Sequence, residues 1–397
     1  MYSVNIVESI TELKKREWDE LVSDNVFASY GWLKTVEETF SGEIYPRYVV
    51  IENSNRLVAA AVGYIFHKRR HVDDFDNILL GRLRGYVSNL GISFMPALIC
   101  GPLFCYGKHF LISSDTGPEQ RRLVITELLD TIEGIATGRG LPVGFTGVMD
   151  EESELVRLLA NRKYRKALDV PLAFLDIKWG SFSEYVDHLK TISKKPKKVV
   201  KNEINRNQKE GVVIKLLKGP ENHEARLGEL VNDNSYRHNR RPFMFRQGFF
   251  TKLQENLGKE ARFYVSTKHD AITGVCILLE RNNIGYLPIV GVDHYKTAND
   301  FTYFNISFYK PISDAISEGI TRLYFGRGMY ELKARRGCSS KSVYTYYKPF
   351  DNIKNMAAWL WFAMLSVWNR CKLPKGTAKE VAKRTQGAHV SVTVNGV

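Results

Sequence analysis

The sequence lacks the patterns that mark metal sites and disulfide frameworks. Its five cysteines, at positions 100, 105, 276, 338 and 371, form no CxxC pair, and its nine histidines include no HExxH motif. Paired ligands at such spacings are what bind a zinc ion. An odd, unpatterned cysteine count is typical of a reducing compartment. We therefore expect no metal, no permanently bound cofactor and a cytoplasmic location.

Long hydrophobic runs are also missing. The longest, MAAWLWFAMLSVW, covers residues 356–368, and a helical membrane span needs roughly twenty residues. The opening stretch MYSVNIVESITELKKREW carries charges from residue 8 onward and has no apolar core of the kind found in secretory leaders. We therefore expect neither a transmembrane helix nor a secretory leader.

Acidic residues are in deficit. There are 43 Asp and Glu against 57 Lys and Arg, which gives a formal net charge of +14. Such an excess favours phosphate-bearing partners: nucleic acid, a nucleotide-linked cosubstrate or an anionic membrane surface. The alternative, that the charge only keeps the protein soluble, stays open at this point.

The order of predicted elements partly repeats along the chain. Residues 1–177 read as two helices, a β-hairpin and then alternating strands and helices, and residues 178–352 show a similar succession. This pattern predicts an α/β (α+β) protein of two tandem modules, each with a mixed sheet flanked by helices. Residues 353–397 are predicted to form an apolar helix and a loose tail.

A strongly basic helix is predicted at the start of the second module. The stretch SKKPKKVVKNEINRNQK, residues 193–209, holds seven basic residues and one acid. Lys194, Lys198 and Lys201 share one helical face, where ammonium groups can contact phosphates irrespective of sequence. Farther along, SYRHNRRPFMF offers the guanidinium groups of Arg237, Arg240 and Arg241 beside aromatic rings. Both stretches are candidate donor-binding or phosphate-binding sites, and a solvated surface is the alternative for each.

The stretch LYFGRGMYELKARRGC, residues 323–338, is the strongest candidate for a reaction site. Its glycines, Gly326 and Gly328, permit a sharp turn and close approach of the backbone to a ligand. Tyr330, Glu331 and Lys333 are candidate catalytic residues, since they offer proton-transfer and anion-binding groups. Further donors for phosphate are Arg327, Arg335 and Arg336. A structural turn with a solvated lysine is the competing interpretation.

Four stretches together resemble a known family: VFASYGWLKTVE, CGPLF before a long helix, LDIKWGSFSEYVDHL before the basic helix, and LYFGRGMYELKARRGC. In order over residues 20–350, they look like the Fem-type acyltransferases of the GNAT superfamily, which include peptidoglycan-bridge aminoacyltransferases and related acetyltransferases. The resemblance implies tandem GNAT modules. It also implies that an acyl or aminoacyl group passes from acyl-CoA or aminoacyl-tRNA to an amine on a small molecule or cell-envelope precursor. It places Gly326, Gly328 and Lys333 in the cleft of the second module.

The chain departs from the acyl-CoA members of that superfamily in one respect. Neither half has the Q/R-x-x-G-x-G/A loop whose amides bind pyrophosphate at a helix N-terminus. This absence favours a tRNA donor, whereas the lack of a long inserted helical arm favours acyl-CoA, so both donors stay open. A non-catalytic protein that binds nucleic acid or a membrane surface on a degenerate GNAT fold is the alternative function.

The apolar stretch near the end of the chain has two interpretations. A helical stripe is predicted there, formed by Met356, Trp359, Leu360, Ala363, Met364 and Val367. The stripe can pack on the protein or on a second subunit. Alternatively, residues 353–372 dock on a membrane, supported by the flanking basic residues Lys354, Arg370 and Lys372. The oligomeric state is left open by the sequence.

Overall fold

The structure is a computed structural model of the 397-residue chain. It describes residues 2–40, 44–66, 80, 93–192, 196–240, 242, 243, 246–349, 361, 362 and 364–367. Lys194, Arg241 and most of the predicted carboxy-terminal helix and tail lie outside these ranges.

The first half of the chain alternates helices with short strands. Its helices are α1 (Lys15–Leu21), α2 (Tyr30–Thr39), α3 (Pro118–Thr137) and α4 (Ser153–Asn161). Its strands are β1 (Tyr2–Val7), β2 (Ile44–Asn53), β3 (Arg56–Phe66), β4 (Ala97–Cys100), β5 (Phe110–Ile112), β6 (Val143–Val148) and β7 (Arg165–Leu168).

The second half repeats this composition. Its strands are β8 (Leu172–Asp176), β9 (Val213–Leu217), β10 (Ala261–Lys268), β11 (Ala271–Arg281), β12 (Ile284–Val292), β13 (Arg322–Gly326), β14 (Ser339–Lys341) and β15 (Tyr344–Lys348). Its helices are α5 (Phe182–His188), α6 (Pro196–Lys209), α7 (Glu224–Asn239), α8 (Phe249–Leu257), α9 (Thr302–Phe304, a π turn at Asn305–Tyr309, and Lys310–Glu318) and α10 (Tyr330–Ala334).

Local sequence explains many of these boundaries. Helix α3 begins with Pro118 at its first position, where a missing N–H costs nothing, and it buries an apolar stripe that includes Leu128 and Ile132. Three hairpin turns have both central residues at positive φ, with values from 49° to 63°: Ser54–Asn55, His269–Asp270 and Asn282–Asn283. Such turns match the twist of antiparallel strands.

The two sheets have the same strand order. The first runs β1-β2-β3-β4-β6-β15-β7, with β5 paired to β3, and the second runs β9-β10-β11-β12-β13-β8-β14. In each sheet the fourth and fifth strands, β4 and β6 or β12 and β13, are parallel, and the other neighbours along this order are antiparallel. The fold is thus two tandem GNAT-like modules with mixed sheets, as the sequence predicts.

Each module receives its sixth strand from the opposite part of the chain. Strand β8 lies in the second sheet although it precedes residue 178, and β15 lies in the first sheet although it falls within residues 178–352. The two connections run side by side, and the Asp169 amide donates to the Val343 carbonyl at 2.9 Å. A division of the chain into 1–177 and 178–352 therefore assigns these two strands to the wrong sheets, because their positions depend on long-range pairing.

A shared aromatic core joins the modules. Trp32 of α2 packs edge-on against Phe249 of α8, with ring centroids 6.3 Å apart. Phe27 contacts both Trp32 and Tyr286 of β12 at 5.0 Å. The rings of Phe27 and Trp32 are almost completely buried, so the two modules pack tightly against each other. Edge-to-face pairs of this kind stabilise a core beyond the area that they bury.

Part of the carboxy-terminal helix is described, and it packs on the first sheet. Phe362 is buried against Tyr347, with ring centroids 5.8 Å apart. The Leu168 amide donates to Ser366 Oγ at 3.1 Å. Met364 and Val367, two members of the predicted apolar stripe, are 58% and 62% exposed. The buried face of this helix therefore differs from the predicted stripe, because Phe362 and Leu365 are the side chains that pack against the core.

Candidate active site at the module interface

In each module the two parallel strands are paired over only three residues, and one of them then continues without that partner. Strands β12 and β13 pair only from Ile284–Arg322 to Tyr286–Tyr324, although β12 runs on to Val292. Strands β4 and β6 likewise form three pairs, and β6 then continues to Val148. Ligands of open α/β sheets bind at the carboxyl ends of parallel strands, where neighbouring chains diverge. These two openings are therefore candidate ligand-binding sites.

The opening of the first module is occupied by its own residues. His109 Nε2 donates to the Thr146 carbonyl at 2.9 Å, and the Gly107 amide donates to Gly147 at the same distance. His109 Nδ1 lies 2.9 Å from Glu152. Burial opposes a charged ring, but the Glu152 carboxylate and the Thr146 carbonyl outweigh it and raise the pKa of His109. The carbonyls of β6 beyond its paired region are thus satisfied internally.

Lys333 has the corresponding place in the second module. Its Nζ donates to the carbonyls of Phe325 at 2.7 Å and of Gly326 and Arg327 at 3.1 Å. The residue is 4% exposed, and burial lowers the pKa of its ammonium to about 8. An ammonium group has three donors, so all of them are used on the loop. The geometry therefore corrects the expectation that Lys333 binds phosphate or substrate carboxylate: its ammonium holds the backbone of Phe325, Gly326 and Arg327.

A cavity of about 690 Å³ lies between the modules. From the first module it is lined by residues of the Asp24, Tyr106–Ile112, Arg121 and Met149–Leu155 regions, and from the second by Ile284, Tyr286, Arg322, Tyr324 and Lys341. The volume suits a small-molecule ligand or part of a larger one.

The walls of this interface cavity combine ion pairs with aromatic rings. Its lining charges are paired as Lys108–Asp24, Arg121–Glu154 at 2.9 Å, Lys341–Glu151 at 2.6 Å and Arg322–Asp176 at 2.6 Å. Tyr286 and Tyr324 stack face to face, with centroids 4.9 Å apart. The cavity thus offers both signs of charge around a flat aromatic wall.

The loop after β13 contacts the cavity wall. The Arg327 guanidinium lies 5.1 Å from the ring of Tyr106, and its Nη2 is 3.1 Å from the Asp169 carboxylate. Tyr330 Oη donates to the Pro171 carbonyl at 2.6 Å, and burial raises the pKa of Tyr330. Asp169 and Pro171 belong to the connection between the sheets. The loop is therefore fixed where the cavity, the crossing strands and the second module meet.

The remaining residues of the candidate stretch do not converge on this place. Glu331 and Arg335 are 85% and 70% exposed in their side chains and bind each other at 2.8 Å. Arg336 is buried, and its Nη2 lies 2.9 Å from Glu203 of α6. An exposed helical pair and a buried ion pair are poor candidates for substrate contact. Successive helical positions point in different directions, which explains the separation.

The basic surfaces lie apart from the cavity lining. Lys198 and Lys201 are exposed on α6, opposite the buried face formed by Val200, Glu203 and Asn207. Arg237 and Arg240 are exposed at the carboxyl end of α7, where Arg240 adopts left-handed backbone geometry with a φ of 59°. Lys194 and Arg241 lie outside the described residues.

The sequence did not single out several residues that line the cavity or fix the loop: Tyr106, Asp169, Tyr286, Arg322, Tyr324 and Lys341. Two of them had a local signal: Tyr106 lies just after the CGPLF stretch, and Tyr324 lies within the LYFGRGMYELKARRGC stretch. The others come from distant parts of the chain. Within the described ranges no three His, Cys, Asp or Glu side chains are grouped as metal ligands. His67 and His71, which are four residues apart, fall outside those ranges.

The strand order, the paired openings and the interface cavity define a tandem GNAT-type protein. The chain belongs to the FemAB_like family, described as peptidoglycan biosynthesis/recognition, whose model matches residues 9–360. This membership gives it an acyltransferase-type function. Among curated proteins, no sequence matches the chain. No helix in the described part of the chain is long and apolar enough to cross a membrane.

Solved structures show the same fold at low sequence identity. FemX is 10% identical with a TM-score of 0.55, over 86% of this chain and 96% of that chain. The C-terminal domain of a putative lysylphosphatidylglycerol synthetase from Agrobacterium fabrum is 11% identical with a TM-score of 0.52, over 90% and 96%. A protein of unknown function from Bacteroides thetaiotaomicron is 12% identical with a TM-score of 0.52, over 87% and 99%.

Proposed function

We propose that this protein transfers an aminoacyl group from aminoacyl-tRNA to an amine of a peptidoglycan precursor or a related cell-envelope molecule. The observation that carries the proposal is the cavity between the modules. Tyr106 lines this cavity and contacts Arg327, which lies between Gly326 and Gly328 in the loop after β13. A transferase must bring two substrates together, and a cleft shared by two modules can bind one from each side.

The acceptor is assigned to the interface cavity. Its mixture of carboxylates and cations suits a molecule that carries both an amine and acidic groups, as a peptide does. The stacked Tyr286 and Tyr324 add a flat apolar surface for a side chain or ring. Charged groups on both sides of a cavity orient a substrate more than they tighten its binding.

The choice of a tRNA donor is supported by the loop after β12. Two amides there are already bonded: Lys296 N donates to Asp293 Oδ1 at 3.0 Å, and Thr302 N, at the start of α9, donates to Asp300 Oδ1 at 2.9 Å. These amides are not available to bind the pyrophosphate of coenzyme A. The exposed Lys198 and Lys201 on α6 are suited instead to phosphates of an RNA backbone.

The reaction needs no covalent enzyme intermediate. The acceptor nitrogen attacks the ester carbonyl of the donor, a C–N bond forms, the ester C–O bond breaks, and the amine proton leaves with the ribose oxygen. We assign Arg327 to stabilising the charge that develops on the carbonyl oxygen, since it is the cation at the junction of loop and cavity. Lys333 and Tyr330 hold the loop, and Glu331 has no assigned step.

The proposal is tested by product formation. Purified protein is incubated with a cell-envelope precursor and either labelled aminoacyl-tRNA or labelled acyl-CoA. We expect label in the acceptor only with aminoacyl-tRNA, and we expect RNase treatment of the donor to abolish it. Transfer from acyl-CoA alone would overturn the donor assignment. No transfer from either donor, together with salt-sensitive RNA or vesicle binding, would favour the non-catalytic alternative.

A further inference from the structure

The carboxyl end of β12 is covered by the last turns of α7. Gly291 lies so close to this helix that a Cβ atom there would come 2.5 Å from the backbone of Leu230. Asn234 Nδ2 donates to the Val290 carbonyl at 3.0 Å. The strand and the helix are therefore fixed relative to each other, and side chains beyond Asn234 project over the end of the strand.

Two imidazoles meet there, and one of them directly follows Arg237 on α7. The rings of His238, on α7, and His294, two residues past β12, have centroids 6.5 Å apart with an interplanar angle of 68°. His294 Nε2 is buried and has no hydrogen-bond partner. Arg237 and His238 are exposed, and neither forms an ion pair with a described residue. A buried ring nitrogen without a partner is costly unless a ligand or water supplies one.

The other charged groups that act on His294 are two carboxylates, and their effect on it is comparatively small. Asp233 on α7 and Asp293 on the loop both act on His294, and more weakly than Arg237 and His238 do. Asp293 is already bonded to Arg226 at 2.8 Å and to the Lys296 amide. The local field at His294 is therefore positive.

We propose that Arg237, His238 and His294 form a binding site for a phosphate group at the carboxyl end of β12. In this site, side chains would bind the phosphate in place of main-chain amides such as that of Lys296, which donates a hydrogen bond within the Asp293–Asp300 loop. That the phosphate belongs to the donor rests on the proposed function; anion binding itself does not. Guanidinium and imidazolium N–H groups are strong donors to phosphate oxygens.

This arrangement predicts that binding depends on pH. Burial, Arg237 and His238 lower the pKa of His294, so its ring is neutral near pH 7 without a ligand. A bound anion favours the charged ring of His294 and raises the pKa of that ring. Proton uptake then accompanies binding, and affinity increases as the pH falls.

The test uses the full-length protein and two anions. Sulfate, whose charge is constant in this range, is titrated at about pH 8 and about pH 6 while the imidazole resonances are followed by NMR. We expect the His238 and His294 signals to shift, with sulfate binding roughly five- to tenfold tighter at the lower pH. Inorganic phosphate should compete with sulfate for the same signals.

Variants separate this site from general surface charge. Arg237→Gln and His294→Asn should each weaken sulfate binding by about five- to twentyfold. The control His269→Asn changes an exposed histidine on the β10–β11 turn and should leave binding unchanged. Equal binding by all variants, or resonances that do not respond to sulfate, would overturn the proposal.

The source of the phosphate is decided separately. If the donor supplies it, aminoacyl-tRNA should displace sulfate from His238 and His294, and His294→Asn should raise the KM for that donor. If sulfate binds as expected and tRNA does not displace it, the site binds a free phosphate or another phosphoester. A failure of transfer activity with intact sulfate binding would refute the proposed function and leave the anion site standing.

Discussion

Arg336 and Glu203 form a buried ion pair between two elements that the sequence separates by more than a hundred residues. Arg336 Nη2 donates to both carboxylate oxygens of Glu203, at 2.9 and 3.2 Å. The guanidinium also lies 3.8 Å from the ring centre of Phe304. The pair links the basic helix α6 to the segment just after α10, the helix that carries Lys333. The surface proposed for the donor is thus connected to the reaction loop.

Removing one member of this pair should destabilise the protein. Glu203→Gln leaves the Arg336 charge buried without its partner, and we expect the free energy of unfolding to fall by about 3–5 kcal/mol. Denaturant unfolding measures it. The control Glu210→Gln removes an exposed carboxylate just after α6 and should change stability by less than about 1 kcal/mol. Equal effects of the two substitutions would contradict a dominant role for the buried pair.

Lys333 should make stability depend on alkaline pH. Its folded pKa, about 8, lies below the usual value of 10.5, so between these values the unfolded chain binds more protons. The cost of burying the charge is then relieved as pH rises. From about pH 7.5 to about pH 9.5, wild type should gain about 1–2 kcal/mol relative to Lys333→Met. Parallel pH profiles of the two proteins would show that Lys333 does not titrate in this range.

Arg327 should matter for turnover more than for folding. It is about a quarter exposed and contacts Asp169 and Tyr106, so Arg327→Gln should lower kcat by roughly ten- to a hundredfold with a change in Tm of a few degrees at most. Steady-state kinetics and thermal denaturation provide both readouts. Arg335→Gln, which removes an exposed arginine from the same stretch, is the matched control. A large loss of Tm with unchanged kcat would make Arg327 structural.

Tyr324 should contribute to acceptor affinity. It lines the cavity and stacks on Tyr286, so Tyr324→Ala should raise the acceptor KM by about five- to thirtyfold. Tyr324→Phe keeps the ring and should stay close to wild type. Tyr45→Ala, on the exposed face of β2, is the control. If the donor KM alone changes, the acceptor does not occupy this cavity.

The α6 surface should govern donor binding in a salt-dependent way. Lys198→Glu combined with Lys201→Glu should weaken tRNA binding by at least about tenfold at low salt, with a shallower dependence on salt concentration than wild type. Lys163→Glu places the same change on an exposed lysine of the first module. Filter binding at several salt concentrations distinguishes the variants. Identical salt slopes would remove α6 from the donor site.

Local patterns were sufficient for much of the secondary structure. Apolar spacing predicts a long helix at residues 119–138, observed as Pro118–Thr137, and a strand is predicted at residues 211–217, observed as Val213–Leu217. Both follow from short-range effects: apolar spacing, a proline at a helix start and glycines at a turn. Strand β1 was missed, because its pairing with β2 lies beyond the reach of any local pattern.

The duplicated architecture could also be predicted, since the succession of helices and strands follows from contiguous residues. The sequence by itself thus determined the kind of elements, their order and the family. Only the tertiary structure decided that β8 and β15 exchange sheets, that Lys333 points to the carbonyls of its own loop, and that Tyr106 meets Arg327. These outcomes depend on which distant strands pair and on where successive side chains point, and both are fixed when the two modules pack together.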